Sequence, residues 1–162
     1  MRILHVTSLL VGMLLAVPGW ADDDAVTKDR KRIAGAWTIA KLVVNGNETK
    51  AENLQSLMVV NQPDGKWSLM SDKKVVAKGT STIDPSKRPK AIDFKIVGGD
   101  QDGEEFLGIY ELGEERRKMC FAPTGEDRPS KFEAPEGTGI ILVVFEYQPQ
   151  PLVAFPKRSQ GK

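Results

Sequence analysis

Side chains that commonly act as nucleophiles and bases are scarce in this 162-residue chain, which has one cysteine, Cys120, and one histidine, His5. His5 belongs to a predicted leader, described below, so the mature chain is expected to have no imidazole. Serine–histidine–aspartate and cysteine–histidine catalysis both need an imidazole base. Zinc and copper sites built on histidine and cysteine need more ligands than one thiol. The sequence therefore predicts no catalytic residue of these kinds, no metal site and no cofactor.

Cys120 allows two interpretations. It lies in the apolar segment "KMCFA" of a predicted strand, where a free cysteine behaves as a small buried hydrophobic residue. A redox or intermolecular-disulfide thiol is the alternative, since Arg116, Arg117 and Lys118 are close to it in the sequence. A reactive thiol needs exposure and a lowered pKa, so the buried interpretation is favoured.

An acidic segment, "DQDGEE" at 100–105, concentrates carboxylates in a predicted turn. Hard cations such as calcium favour oxygen-rich loops. The glycine is misplaced for an EF-hand loop, however, and the segment occurs only once. A solvated hairpin turn is the favoured interpretation. The four carboxylates belong to Asp100, Asp102, Glu104 and Glu105.

A basic cluster, Lys87, Arg88 and Lys90, lies in a proline-containing loop. Such a cluster is ordinarily a solvated loop, but at the rim of a barrel mouth it would attract an anionic ligand. An enzyme that uses a pair of carboxylates is a further alternative. Nothing in the sequence singles out two acids for that task.

Aromatic and sulfur side chains alternate within the predicted strands so that they can share an inward face. One interpretation is a cavity for a small apolar ligand, with Tyr110 as its polar group. The other is an ordinary filled core. The candidate lining residues are Trp37, Phe94, Tyr110, Met119 and Phe121.

The alternation of side chains along the first predicted strand bears on whether the interior is hollow. Lys41 has the same parity as Trp37 and Ile39. An inward Lys41 would favour a hollow or wet interior.

The first 21 residues have the pattern of a cleaved signal peptide. Arg2 is followed by the apolar segment 9–17, and Gly19-Trp20-Ala21 places small residues at positions −3 and −1 of a cut before Asp22. The apolar segment is shorter than the roughly 20 residues of a membrane-spanning helix. We therefore expect an exported protein, periplasmic or extracellular, with an uncleaved anchor as the alternative.

Removal of the leader would leave residues 22–162, with 22 basic and 22 acidic residues. A formal charge of zero gives no reason to expect nucleic acid or anionic lipid as a partner. No membrane span is predicted after cleavage, and one cysteine forms no internal disulfide. The sequence leaves the oligomeric state open.

The rest of the chain is typical of an all-β domain with short connections. Residues 22–34 are predicted to form a short helix or an arm, 35–147 the domain, and 148–162 a flexible proline-containing tail. One helical turn is expected at 52–56. Alternation and turn signals such as Asn45-Gly46 predict eight strands, at 36–44, 57–61, 66–71, 75–83, 92–97, 106–112, 116–122 and 139–147.

Eight sequential antiparallel strands leave two exposed edges unless the sheet closes. The last strand is apolar on both faces, which favours a position buried between neighbours. We therefore predict an eight-stranded antiparallel up-and-down barrel, with a two-sheet sandwich as the rival. Its interior would be filled by side chains or hold one small ligand.

"GAW", residues 35–37, would place an indole across one end of the barrel, with Gly35 letting the N-terminal segment fold over it. A Gly-x-Trp that opens a first strand is similar to lipocalin-like (calycin) barrels. The strings "DPSKRPKAIDF", "LGIYEL" and "KMCFAPTGEDRPSKF" resemble a secreted lipocalin-like domain of planctomycete bacteria. The resemblance spans roughly residues 30–147. It implies the fold and export, and no catalytic residue. The chain departs from lipocalins proper in having no arginine in its last strand.

Two functions follow as expectations. The first is an exported module that binds a small apolar ligand inside the barrel. The second is a non-catalytic envelope interaction module with a filled barrel, which contacts its partners through the loop at 123–138 and the tail.

Overall fold

The computed structural model describes residues 20–148. The predicted leader, 1–21, and the predicted tail, 148–162, lie outside this range except for Trp20, Ala21 and Gln148. Two helices and nine strands follow one another along the described chain: α1 Trp20–Ile33, β1 Gly35–Val44, β2 Asn47–Glu48, α2 Ala51–Leu54, β3 Leu57–Asn61, β4 Lys66–Ser71, β5 Lys74–Asp84, β6 Lys90–Ile96, β7 Glu105–Leu112, β8 Arg116–Phe121 and β9 Ile141–Tyr147.

The sheet closes into a barrel. Each strand from β3 to β8 pairs antiparallel with the next, and β1 pairs with both β3 and β9. Trp37 at the start of β1 lies opposite Tyr147 at the end of β9. The predicted eight-stranded up-and-down barrel with a short helix is thereby confirmed, and the sandwich is wrong. The two-residue strand β2, which was not predicted, extends β1 beyond the Asn45-Gly46 turn.

The two ends of the barrel, named here the floor and the mouth, differ in their connections. The floor is the end at which β1 begins, together with the turns that follow β3, β5 and β7. The mouth carries the turns that follow β1, β4 and β6, and the long segment 122–140 between β8 and β9. Antiparallel order fixes this assignment, since alternate strands run in opposite directions.

A bulge in β1 overturns the prediction for Lys41. The register with β9 slips between Ile39 and Lys41, so that Ala40 has no partner. One extra residue reverses the side-chain alternation beyond it. Leu42 therefore joins the interior, whereas Lys41 is exposed and forms an ion pair with Glu48 at 3.0 Å. Lys41 gives no evidence of a wet interior.

The segment 122–140 packs against the outside of the barrel. Arg128 donates to both carboxylate oxygens of Asp93 on β6 and to the carbonyl of Gly108 on β7, the latter at 2.6 Å. Outward side chains beneath it, Ile109 and Cys120, are fully buried. The apolar outer face of these strands is thus covered by the protein's own loop.

No helix among residues 20–148 has the length and apolar content needed to span a membrane.

Candidate ligand cavity

The floor is closed by an aromatic and cationic stack. The Trp37 indole is 3% exposed and donates its Nε1–H to the carbonyl of Ile33 at 2.9 Å. Tyr147 packs edge-on against it, with ring centroids 5.1 Å apart. Gly35 has φ of +118°, and a Cβ there would lie 3.0 Å from the Tyr147 ring. Only glycine fits this corner without strain, because both the backbone conformation and the space exclude a side chain.

Arg117 covers the other face of Trp37. Its guanidinium carbon lies 4.3 Å from the Trp37 ring centre and 4.5 Å from that of Phe145. It donates to the Ile33 carbonyl at 2.9 Å, and no ion pair involving it is found in residues 20–148. Burial lowers the pKa of Arg117 to about 9. The Arg117 cation is therefore held by two aromatic faces and one carbonyl. It is supplied by β8, the neighbour of the last strand, β9, which has no arginine.

Helix α1 is tied to the floor through a buried carboxylate. Asp29 accepts from the Tyr110 hydroxyl at 2.8 Å and from the Lys90 ammonium at 2.6 Å. Tyr110 is 1% exposed, and its burial, followed by the hydrogen bond to Asp29, raises its pKa well above the ordinary value. Arg30 donates to Ser81 and Arg32 to the carbonyl of Gly113. These contacts position α1 across the floor, where the buried Asn61 Nδ2 and Arg117 Nε are left without a hydrogen-bond partner among the described residues.

The mouth half of the barrel is hollow. A cavity of about 270 Å³ opens towards the mouth, just below the range of about 300–1,000 Å³ that is typical of small-molecule sites. Several inward aliphatic side chains that line it, including Leu42, Leu69 and Ile96, are only half-buried. The full lining is apolar: Ile39, Leu42, Leu57, Val59, Trp67, Leu69, Phe94, Ile96, Phe106, Phe121, Ile141, Val143 and Phe145.

Three stacked aromatic rings form part of the cavity wall. The Phe94 ring lies 5.2 Å from Trp67 and 4.7 Å from Phe121, centre to centre. Gly108 faces Phe121 on the adjacent strand, and a Cβ at Gly108 would lie 2.3 Å from that ring. The Trp67 Nε1–H, a polar group of this wall, donates to the Thr80 carbonyl at 3.0 Å. The described side chains therefore offer a ligand contact area but no free hydrogen-bonding group.

The five predicted lining residues separate into two groups. Phe94 and Phe121 line the cavity, whereas Trp37, Tyr110 and Met119 are not among its lining residues and are packed in the floor. All five belong to one continuous core. The prediction of Tyr110 as the polar group of the cavity is wrong, because its hydroxyl is engaged by Asp29 beneath the hollow region.

The predicted basic cluster does not rim the mouth. The loop from 85 to 89 lies at the floor, where Arg88 donates to the carbonyls of its own loop and Lys90 is engaged by Asp29. It borders an outer cleft of about 420 Å³ with Arg128. The guanidinium of Arg128 is already paired with Asp93, so this cleft has less free charge than its composition indicates.

Cys120 and the acidic turn occupy structural positions. The thiol is fully buried beneath the outer loop and donates to the Glu133 carbonyl at 3.4 Å, and burial raises its pKa. In the turn, Asp102 accepts from the Gly98 amide at 2.6 Å. No group of three histidine, cysteine, aspartate or glutamate side chains within 20–148 is arranged to hold a metal ion.

Sequence reasoning missed the functions of Asp29, Arg117 and Trp67. Asp29 and Arg117 are charged residues of charged segments, and only their fully buried positions distinguish them. Trp67 follows the Pro63-Asp64-Gly65 turn on a predicted strand, where its inward parity gave a detectable signal.

Comparison of the chain with protein-family models, curated proteins and solved structures gives no match. The resemblance to secreted lipocalin-like domains therefore stays a prediction.

Proposed function

We propose that this protein binds a small apolar molecule in the mouth half of its barrel. The observation that carries the proposal is the all-apolar cavity of about 270 Å³ inside an otherwise close-packed core. An open pocket whose wall is made of apolar side chains favours an apolar guest. The cavity supports the hollow-barrel alternative over the filled one.

The ligand's buried part is expected to be hydrocarbon. A hydroxyl or carboxyl group within the cavity would find no free partner on its wall, and burying an unpaired polar group is costly. Any polar group of the ligand would therefore remain at the mouth, in water. A short alkyl chain or a small flat hydrocarbon ring fits these constraints.

Binding without catalysis is the corresponding proposal for activity. Asp29, which is buried, and Asp93, which is partly buried, are engaged by Lys90 and Arg128 in contacts that join separate segments of the fold. Neither lies among the cavity-lining residues. This separation supports a carrier over an enzyme that uses carboxylates.

Export is proposed from the leader pattern at 1–21. Cleavage before Asp22 would retain every α1 residue that contacts the floor, Asp29 to Ile33. N-terminal sequencing of the protein from the envelope or medium of a producing bacterium is expected to start at or near Asp22. Recovery of the full chain in the cytoplasm would contradict this proposal.

The binding proposal can be tested by contact quenching with an ω-bromo fatty acid. Trp67 lines the cavity and Trp37 does not, so in a chain of residues 22–162, which lacks Trp20, only one of the two indoles should contact a bound ligand. We expect saturable quenching of tryptophan emission in the wild type and in Trp37→Phe. The Trp67→Phe variant should lose most of it. Quenching that does not saturate, or that survives in Trp67→Phe, would contradict binding in this cavity.

A further inference from the structure

The barrel wall is incomplete on one side of the mouth. Towards the mouth, the last paired residues of β5 and β6 are Gly79 and Ile96. The final hydrogen bond between the two segments joins the Val97 amide to the Lys78 carbonyl at 2.9 Å. Beyond that point β5 pairs only with β4, through Lys74, Val75 and Ala77, and Val76 lies at an irregularity in that register without a β4 partner. A short free strand edge therefore faces the turn at 97–104. Free edges are the positions at which sheets pair with another chain.

A groove of about 750 Å³ separates this edge from the turn. Val75, Val76 and Val97 line it and are 57%, 58% and 44% exposed. They are three of the five exposed large hydrophobic residues in the described chain. Clustered exposure of this kind marks interaction surfaces, whereas scattered exposure does not.

The groove has opposite charges on its two walls. Lys78 lines the β5 wall, Lys74 is exposed at the start of the same strand, and no ion pair involving either is found in residues 20–148. Asp100 stands on the facing turn, which also carries Gln101 and the paired glycines Gly98 and Gly99. A Cβ at either glycine would meet nothing within 4 Å, so that wall leaves open space.

We propose that this groove is a two-fold contact through which two copies of the chain associate. In a two-fold contact the same patch serves both partners, so it must complement itself. If each β5 edge lies antiparallel in the groove of the other copy, the free backbone groups pair. The lysines of each copy then face the acidic turn of its partner, and the valines are covered together. A uniformly acidic or basic partner would meet repulsion from one wall.

The inference is independent of ligand binding, so it can be tested on ligand-free protein by analytical ultracentrifugation. The wild-type chain is expected to show a concentration-dependent monomer–dimer equilibrium. Val76→Lys should weaken association about tenfold or more, because it loses apolar burial and places a charge at the edge. Val44→Lys is the matched control, since Val44 is an exposed valine on β1 that does not line the groove.

Two charge variants test the two-fold arrangement directly. Lys74→Glu/Lys78→Glu makes both walls acidic, and Asp100→Lys/Gln101→Lys makes both basic, so each variant alone should remain monomeric. An equimolar mixture should form dimers, because every acidic wall then meets a basic one.

Thermal melts must show that all variants are folded, and all carry the same termini. A wild type that is monomeric at all concentrations overturns the inference. So does equal loss in Val44→Lys, a dimer that persists in Val76→Lys, or a mixture that stays monomeric. Each of these results would show that two copies of the chain do not associate through this groove.

Discussion

The floor and the mouth of this barrel are built from the same strands but are filled in different ways. At the floor, Ile92, Tyr110 and Met119 are at most 1% exposed, and Asp29 and Arg117 are buried with them. At the mouth the inward positions are aliphatic or aromatic, several are half-buried, and a cavity remains between them. The same strands thus form a close-packed end that contains the buried charges of Asp29 and Arg117, and an apolar end that keeps a cavity.

The floor owes its closure to helix α1 as much as to the strands. The Ile33 carbonyl accepts from both Trp37 and Arg117, and Asp29 accepts from Tyr110 and Lys90. At the mouth the corresponding element is the four-residue helix α2, whose Leu54 is buried. Matched substitutions at the floor and at the mouth should therefore destabilise the protein to different degrees.

The largest effect is expected from truncating an aromatic ring at each end. Trp37→Ala should lower the free energy of unfolding by about 3–5 kcal/mol, because it leaves a cavity in a close-packed floor and leaves Arg117 without its stacking partner. Phe106→Ala at the mouth should cost about 1–2 kcal/mol, because this half-buried ring already borders a cavity. Urea titration of both variants measures the difference, and equal losses would contradict the contrast.

A somewhat smaller effect is expected from removing the buried carboxylate of α1. Asp29→Ala should cost about 2–4 kcal/mol, because the Tyr110 hydroxyl and the Lys90 ammonium lose their acceptor. Hydrogen exchange of the amides in 23–33 should accelerate in the same variant, since α1 loses its contact with the floor. Asp24→Ala is the control, because Asp24 is exposed on the same helix. A helix that stays protected in Asp29→Ala would show that Asp29 does not anchor it.

Enlarging an inward side chain should lower the free energy of unfolding more at the floor than at the mouth. Ile92→Phe at the floor is expected to cost about 1–3 kcal/mol, because the larger ring has no free volume to enter. Leu69→Phe should cost less than about 1 kcal/mol, since the added atoms enter the cavity. The same Leu69→Phe variant should bind the ω-bromo fatty acid more weakly. Destabilisation of similar size at both positions would mean that the mouth half is not hollow in solution.

Ionisation of Tyr110 should have the smallest effect on the free energy of unfolding at neutral pH. The effect should grow as the pH rises into the alkaline range. The pKa of Tyr110 is raised in the folded protein, chiefly by burial, so above pH of about 10 the folded state binds more protons than the unfolded chain. The free energy of unfolding contributed by Tyr110 is thus fully present below the unfolded pKa and is lost as the pH rises. Wild type should lose stability between pH 9 and 11 more steeply than Tyr110→Phe, which urea titrations across this range would detect. Parallel slopes would show that Tyr110 ionises freely when folded.

Much of the fold could be predicted because strands and turns depend mainly on residues that are close together in the sequence. Alternation gave β3 and β4 their observed bounds, and Asn45-Gly46 marked the first turn. The burial of Cys120 could be predicted from its apolar neighbours. The bulge at Ala40 could not, because it depends on the register with β9, a strand some hundred residues further along the chain.

The candidate site was predicted only in part for the same reason. Phe94 and Phe121 line the cavity, but alternation places Tyr110 and Met119 on the same inward face with no information about their depth along the axis. Depth is set by strand tilt and register around the closed sheet. Arg117 lies on the same face of β8 as Met119 and Phe121, but a charged residue is not ordinarily expected inside a barrel.

The sequence by itself determined the strand order, the turns, the lack of an imidazole in the predicted mature chain and the pattern that led to a closed barrel, because each depends on residue type and near neighbours. Only the tertiary structure decided which half of the barrel is filled, that Arg117 lies beneath Trp37, and that Asp29 joins α1 to the floor. These features need contacts between residues 61 to 84 positions apart. A buried charge is tolerated only where π faces, carbonyls or counter-charges from distant segments converge on it, and that convergence exists only after the barrel has closed.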